Sequence, residues 1–195
     1  MKKVLASFAF VCLLSNALMA QKGYSGPRSL GVSFVLNDFL SAQRIRSSSL
    51  ESVLRDKNWA DFNEMEPGLG ITYFKGLRKH IDFAGTLAAS YVNYPLPNRP
   101  RASGDALLLA ADASVNLKMF PDEYWVSPYL IAGVGAGKYK SNYAAFLPLG
   151  GGLRVNFFEE ATLFVTTQYR IPVTADNAAY HFVYSVGISG VIGKK

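Results

Sequence analysis

The sequence predicts an all-β fold: an eight-stranded antiparallel up-and-down transmembrane β-barrel preceded by a cleavable signal peptide. Three observations predict it. Lys2 and Lys3 stand before an apolar run, Val4–Leu14, and Ser15–Ala20 ends in small residues suited to cleavage after Ala20, the layout of a secretory signal. Beyond Ala20, stretches of about ten residues carry an apolar residue at every second position, the pattern of strands with one face to lipid and one to a lumen. The connections between these stretches alternate short and long, as they do where periplasmic turns are tight and outside loops are extended.

Val4–Leu14 is too short for a membrane helix, which takes about 20 apolar residues. Residues 1–20 therefore read as a removed leader and 21–195 as one barrel domain. Half of the chain is hydrophobic, yet the apolar residues are dispersed by alternation, which excludes helical spans. The formal net charge is +6; losing Lys2 and Lys3 leaves 18 basic against 14 acidic residues. The basic residues are scattered, so no nucleic-acid footprint is present. The surroundings expected instead are outer-membrane lipid and lipopolysaccharide. Cys12 is the only cysteine and lies in the leader, so the mature chain has no disulfide and no cysteine metal site. No cofactor is expected.

The strands follow in order. Ser29–Asp38 puts Leu30, Val32, Phe34 and Leu36 on one face. Phe39–Met65 is the longest connection, and Ser48-Ser49-Leu50-Glu51 within it is a capping-box pattern that predicts a short helix. Pro67–Lys75 places Leu69, Ile71 and Tyr73 together, and Gly76–His80 turns into Ile81–Tyr91, where Asp82, Thr86 and Ser90 form the polar face. Val92–Gly104 is a loop rich in proline and arginine. Asp105–Met119 opposes Leu107, Leu109, Val115 and Leu117 to Asp112, Ser114, Asn116 and Lys118. Phe120–Tyr124 turns the chain into Trp125–Gly137, where Pro128 has to sit near a strand end. Lys138–Phe146 is expected as a loop, Leu147–Phe158 as the sixth strand and Ala161–Ile171 as the seventh. Pro172–Ala178 is a loop, and Ala179–Ile192 is the eighth strand.

An even count puts both mature termini on one side, and the loop lengths put that side in the periplasm. Aromatics gather toward both expected ends. Phe74, Phe83, Phe120, Tyr124, Trp125, Phe157 and Phe158 mark the periplasmic end, and Tyr91, Tyr94, Tyr169 and Tyr180 the outer one. Such girdles form at headgroup boundaries.

Val126-Ser127-Pro128-Tyr129-Leu130-Ile131-Ala132-Gly133-Val134-Gly135 and the ending Tyr184–Lys195 resemble the membrane-barrel domain of the outer membrane protein A (OmpA) family, in the versions found in Bacteroidota. The resemblance implies an integral outer-membrane protein. The family often carries a peptidoglycan-binding domain after the barrel. The sequence stops at Gly193-Lys194-Lys195, so the N-terminal barrel without that domain is expected.

An eight-stranded barrel is just wide enough for side chains to fill. Its inward faces carry Asp82, Asp112, Lys118, Arg154 and Arg170, with Glu66 at a strand mouth. A buried charge needs a partner, and Asp112 with Arg154 is the pairing expected, with Glu66 and Arg170 as further lumen ion-pair candidates. No catalytic constellation emerges. Of the two histidines, His80 lies in a short turn, and His181 is separated from Ser185 by roughly 13 Å along one strand. Gly133, Gly135, Gly137 and Gly150-Gly151-Gly152 precede no helix, so they are no phosphate cradle; they make room for large neighbours such as Arg154 and Phe164. In the first outer loop, Leu50, Val53, Leu54, Trp59 and Phe62 form a small apolar face. It serves either as a lid packed on its own loops or as a contact site for a protein partner or host surface. The function expected is structural or adhesive and non-enzymatic. A small porin, an accessory subunit of an outer-membrane complex and an outer-membrane lipid-modifying enzyme are the alternatives.

Overall fold

The computed structural model describes residue 26 and residues 28–95, 104–157, 161–174 and 178–193. The leader Met1–Ala20, Phe158 and the two C-terminal lysines lie outside the described residues.

Eight antiparallel strands pair in sequence order and close on themselves: β1 (Arg28–Asp38), β2 (Glu66–Arg78), β3 (Ile81–Val92), β4 (Ala106–Lys118), β5 (Val126–Tyr139), β6 (Asn142–Phe157), β7 (Ala161–Pro172) and β8 (His181–Val191). Closure is made by β8 against β1, with Val32 opposite Ile188 and Leu36 opposite Tyr184, so no strand edge is left unpaired. The alternation in sequence becomes two surfaces. On β4, Leu107, Leu109, Ala111, Ala113, Val115 and Leu117 are exposed, while Leu108, Ala110, Asp112, Ser114, Asn116 and Lys118 are buried. This is a protein turned inside out: its exposed surface is a greasy wall, and its polar groups face inward.

The interior is narrow. Phe74, Ala84 and Phe164 form one apolar layer across it. Gly31 and Gly187 flank the Phe164 ring, and a methyl group on Gly187 would overlap both that ring and the Val32 carbonyl. Phe74, expected in a girdle, points into the lumen instead. Its neighbours Tyr73 and Lys75 take the outward positions, because alternation leaves no choice.

Two connections differ from expectation. The β5–β6 connection is no loop: pairing continues to Tyr139 opposite Asn142, and Lys140 turns the chain with φ 52°. Pro148 sits inside β6, fully buried. The β5–β6 ladder accordingly skips from Ala132 opposite Leu149 to Gly135 opposite Phe146, since proline has no N–H to give it. Pro128 is accommodated differently. Its carbonyl accepts the Met119 N–H at 2.8 Å, so its missing N–H faces β4 where that strand has already ended. The expected turn at Gly76–His80 shrinks to Lys79-His80, with a bulge between Gly76 and Arg78.

The long β1–β2 connection folds into α1 (Phe39–Ser47), α2 (Leu50–Arg55) and a short 3-10 turn (Phe62–Glu64). Asp38 caps α1 by accepting the Ser41 N–H at 2.8 Å, and Ser49 caps α2 through the Ser52 N–H, each satisfying an orphan donor of a helix start. Among the described residues, no helix is long and apolar enough to cross a membrane.

Candidate functional site

Three groups of residues carry the chemistry of this barrel. The first lies inside, near the end opposite the helices. Asp82 on β3 accepts from Arg154 on β6 at 2.6 Å and forms an ion pair with Lys118 on β4 at 2.9 Å. Lys118 also reaches Asp122 at 2.7 Å, and Arg154 approaches Asp122 at 3.7 Å. Two cations and two carboxylates thus close a network in which Lys118 and Asp82 are almost wholly buried. The Arg154 guanidinium lies over the Phe74 ring at 4.9 Å and near Tyr129 at 5.7 Å, using its flat face where its edge is already bonded.

The second group is Arg170 on β7 with Asp112 on β4, 3.3 Å apart. Here the expected pairing of Asp112 with Arg154 is corrected. The ladder shows why. Asp112 lies opposite Gly135, which lies opposite Phe146 on β6. Arg154 is eight residues further along that strand, roughly 26 Å away at the rise of a β-strand. Arg170 lies opposite Pro148, a single inward position from the Phe146 row, and its guanidinium stacks 4.5 Å over the Phe146 ring. Glu66 sits at the mouth, where its carboxylate accepts the Asn93 N–H at 2.9 Å. Cavities of about 30 and 20 Å³ border Arg170, the first lined also by Thr72, Thr86, Asp112 and Ser185, the second by Tyr94, Tyr139 and His181. At roughly 10–15 Å³ per water, the first has space for two or three waters and the second for one or two.

The third group is the β1–β2 connection over the barrel mouth. Phe39, the first residue of α1, packs on His181 at 4.6 Å and on Tyr94 at 5.1 Å, and Tyr94 meets Tyr139 at 5.4 Å. The Tyr94 hydroxyl accepts the Ala179 N–H at 2.9 Å. Tyr94, expected in a girdle, is therefore buried in the mouth, and burial raises its hydroxyl pKa. His181 bonds the Ala179 carbonyl through Nδ1, and the Ser185 hydroxyl bonds Thr166. The histidine and serine are thus engaged separately.

The five apolar loop candidates divide. Val53 is buried, and Trp59 docks on the outer wall, where its indole N–H donates to the Tyr184 hydroxyl at 3.0 Å and its ring meets Phe182 at 5.4 Å. Leu50, Leu54 and Phe62 remain exposed. Ala60 N–H donates to the Ser41 hydroxyl at 2.9 Å, tying the descending segment to α1. The Glu64 carboxylate accepts the Asp61 N–H and pairs with Arg44 at 3.3 Å.

Alternation places Asp82 and Lys118 on the inward face without joining them in one network, and Asp122 reads as a turn residue. The i,i+4 spacing of Lys118 and Asp122 across the strand end was the available signal. Trp59 against Tyr184 carried none, because 125 residues separate them.

This fold is that of the small eight-stranded outer-membrane β-barrels. No protein-family model matches the chain, and no curated protein matches it. Solved structures do. Neisserial surface protein A (NspA) aligns with a TM-score of 0.60 and 15% identity, covering 87% of this chain and 100% of its own. The outer membrane protein OprG of Pseudomonas aeruginosa aligns with a TM-score of 0.58 and 11% identity over 88% of this chain and 99% of its own. Ail, the attachment invasion locus protein of Yersinia pestis, aligns with a TM-score of 0.53 and 14% identity over 86% and 99%. A further Ail structure holds the heparin analogue sucrose octasulfate. Together they match the OmpA-like barrel that the sequence resembles.

Proposed function

We propose that the protein is an integral outer-membrane barrel with a structural or adhesive, non-enzymatic role, delivered by the signal at Met1–Ala20 and seated with both mature termini in the periplasm. The observation that carries this reading is the closed cylinder with its apolar residues outside and its charges paired inside. Such a molecule is stable only where lipid covers the wall. The short turns on the side of the termini support the orientation. The helices and aromatic cluster at the opposite mouth support a surface-facing loop region. Paired charges and stacked guanidinium groups across the interior favour a plugged lumen over a solute pore.

Single-channel recording in planar bilayers tests the lumen. The expected record shows no sustained porin-like conductance at neutral pH. A stable open current for small ions would overturn the plugged reading and favour a porin. Adhesion is tested with cells bearing the barrel. Replacing residues 48–62 by a short linker should lower attachment to immobilised sulfated glycans while leaving the folded barrel in the membrane. Attachment that does not depend on the loop would remove the adhesive half of the reading.

A further inference from the structure

We propose that the β1–β2 connection is a lipid-interface anchor that grips phosphorylated headgroups of the outer leaflet through Arg46 and Lys57. The proposal rests on the outer-membrane reading above. It starts from a break in the wall. Along β1 the outward residues Leu30, Val32 and Phe34 are 46%, 64% and 46% exposed, but Leu36, next in that row, is only 8% exposed. Leu36 lies opposite Tyr184 on β8, and Tyr184 is the residue that Trp59 bonds. The connection therefore does more than cover the mouth. It crosses the rim and lies against the outside of the cylinder, at the upper edge of the apolar band formed by Val186 and Ile188.

That position is the headgroup boundary, and the residues there have the matching chemistry. Trp59, Tyr169, Tyr180, Phe182 and Tyr184 form a run of ring contacts and one indole–hydroxyl bond on the wall. Amphipathic rings of this kind settle where acyl chains meet headgroups. Leu50, Leu54 and Phe62 are 52%, 61% and 71% exposed, a cost in water and a gain in the interfacial layer.

The charges select the headgroup. Arg44 is paired with Glu64, and Arg55 with Asp56. Among the described residues, Arg46 and Lys57 have no carboxylate within 4 Å. Tyr180 holds the Arg46 guanidinium by one face, 3.8 Å from its ring centre. The planar edge is left for a doubly charged oxyanion, which a guanidinium fork binds in bidentate fashion. Continuity with the lipid-facing wall favours a phosphorylated lipid over a protein partner.

Trp59 and Trp125 are the only tryptophans, so Trp125→Phe makes Trp59 the sole reporter. In phosphatidylcholine vesicles containing lipid A, brominated acyl chains should quench Trp59 strongly and aqueous iodide weakly. In native mass spectrometry, Arg46→Gln and Lys57→Gln should lower retained lipid A by roughly fivefold for each charge removed. Arg46→Lys should lose less, and lipid A lacking phosphate should not respond. Quenching of Trp59 by iodide but not by bromolipid would overturn the anchor. Unchanged lipid A retention in the double variant would overturn the headgroup assignment, as would capture of a protein at this surface that depends on the same two residues. Leu130→Trp, in a chain carrying Trp59→Phe and Trp125→Phe, reports the middle of the wall. Its failure to be quenched by bromolipid would indict the membrane-barrel reading, not the anchor.

Discussion

At the scale of single residues, the interior is governed by charge that cannot be left alone. Asp82 is the shared counter-ion of Lys118 and Arg154. Asp82→Asn strands two buried cations against Asp122, whose side chain is 26% exposed. The expected loss is about 3 kcal/mol or more of unfolding free energy, read by urea titration in lipid vesicles. Asp122→Asn should cost about 1 kcal/mol, because water replaces part of what is removed. Equal losses at both sites would mean the network is not centred on Asp82. Gly187→Ala tests packing in the same way. The added methyl has the Val32 carbonyl and the Phe164 ring in its path, and backbone cannot swing aside as a side chain can. Overpacking of this kind costs about 1–3 kcal/mol, and Phe164→Leu in the same chain should recover part of it.

At the scale of elements, the β1–β2 connection is the part whose order depends on pH. Glu64 is held below its ordinary carboxylate range, chiefly by the hydrogen bond from the Asp61 N–H and further by Arg44. A carboxylate whose folded pKa is depressed adds stability that is full above its unfolded pKa of about 4.5 and is lost as pH falls through the folded value. Amide hydrogen exchange at Asp61 and Glu64, compared between neutral pH and pH below 4, should therefore show the 3-10 turn opening on acidification while β1 and β2 stay protected. Glu64→Gln should exchange fast at both values. In the hairpin β5–β6, pairing runs to the turn at Lys140, and composition hid this. Lys138, Lys140 and Ser141 look like loop residues, whereas Tyr139 and Phe146 keep the inward beat through them.

At the scale of the whole molecule, the outward wall and inward charges make folding conditional on an apolar surrounding. Released from membranes, the chain should hold its β-structure and run anomalously fast in unheated gels only while an amphiphile is present. Persistence of the fold in plain buffer would contradict a lipid-covered wall. Export is checked separately: N-terminal sequencing of the membrane-borne protein should begin at Gln21. A mature chain still beginning at Met1 would rule out cleavage after Ala20.

The alternation in this chain was enough to determine strand number, the inward or outward side of nearly every residue and the closed antiparallel order. Period-two patterning is local, and a strand with one face to lipid has a single acceptable orientation. What alternation cannot carry is height along the cylinder. Asp112 and Arg154 both read as inward and opposite in charge, yet the register sets them eight residues apart on the β6 scale and hands Asp112 to Arg170, Arg154 to Asp82. The placement of Trp59 on the outside of the wall is of the same kind. It depends on where a loop of helices comes to rest after the barrel has closed, and only contacts made across the whole chain decide that.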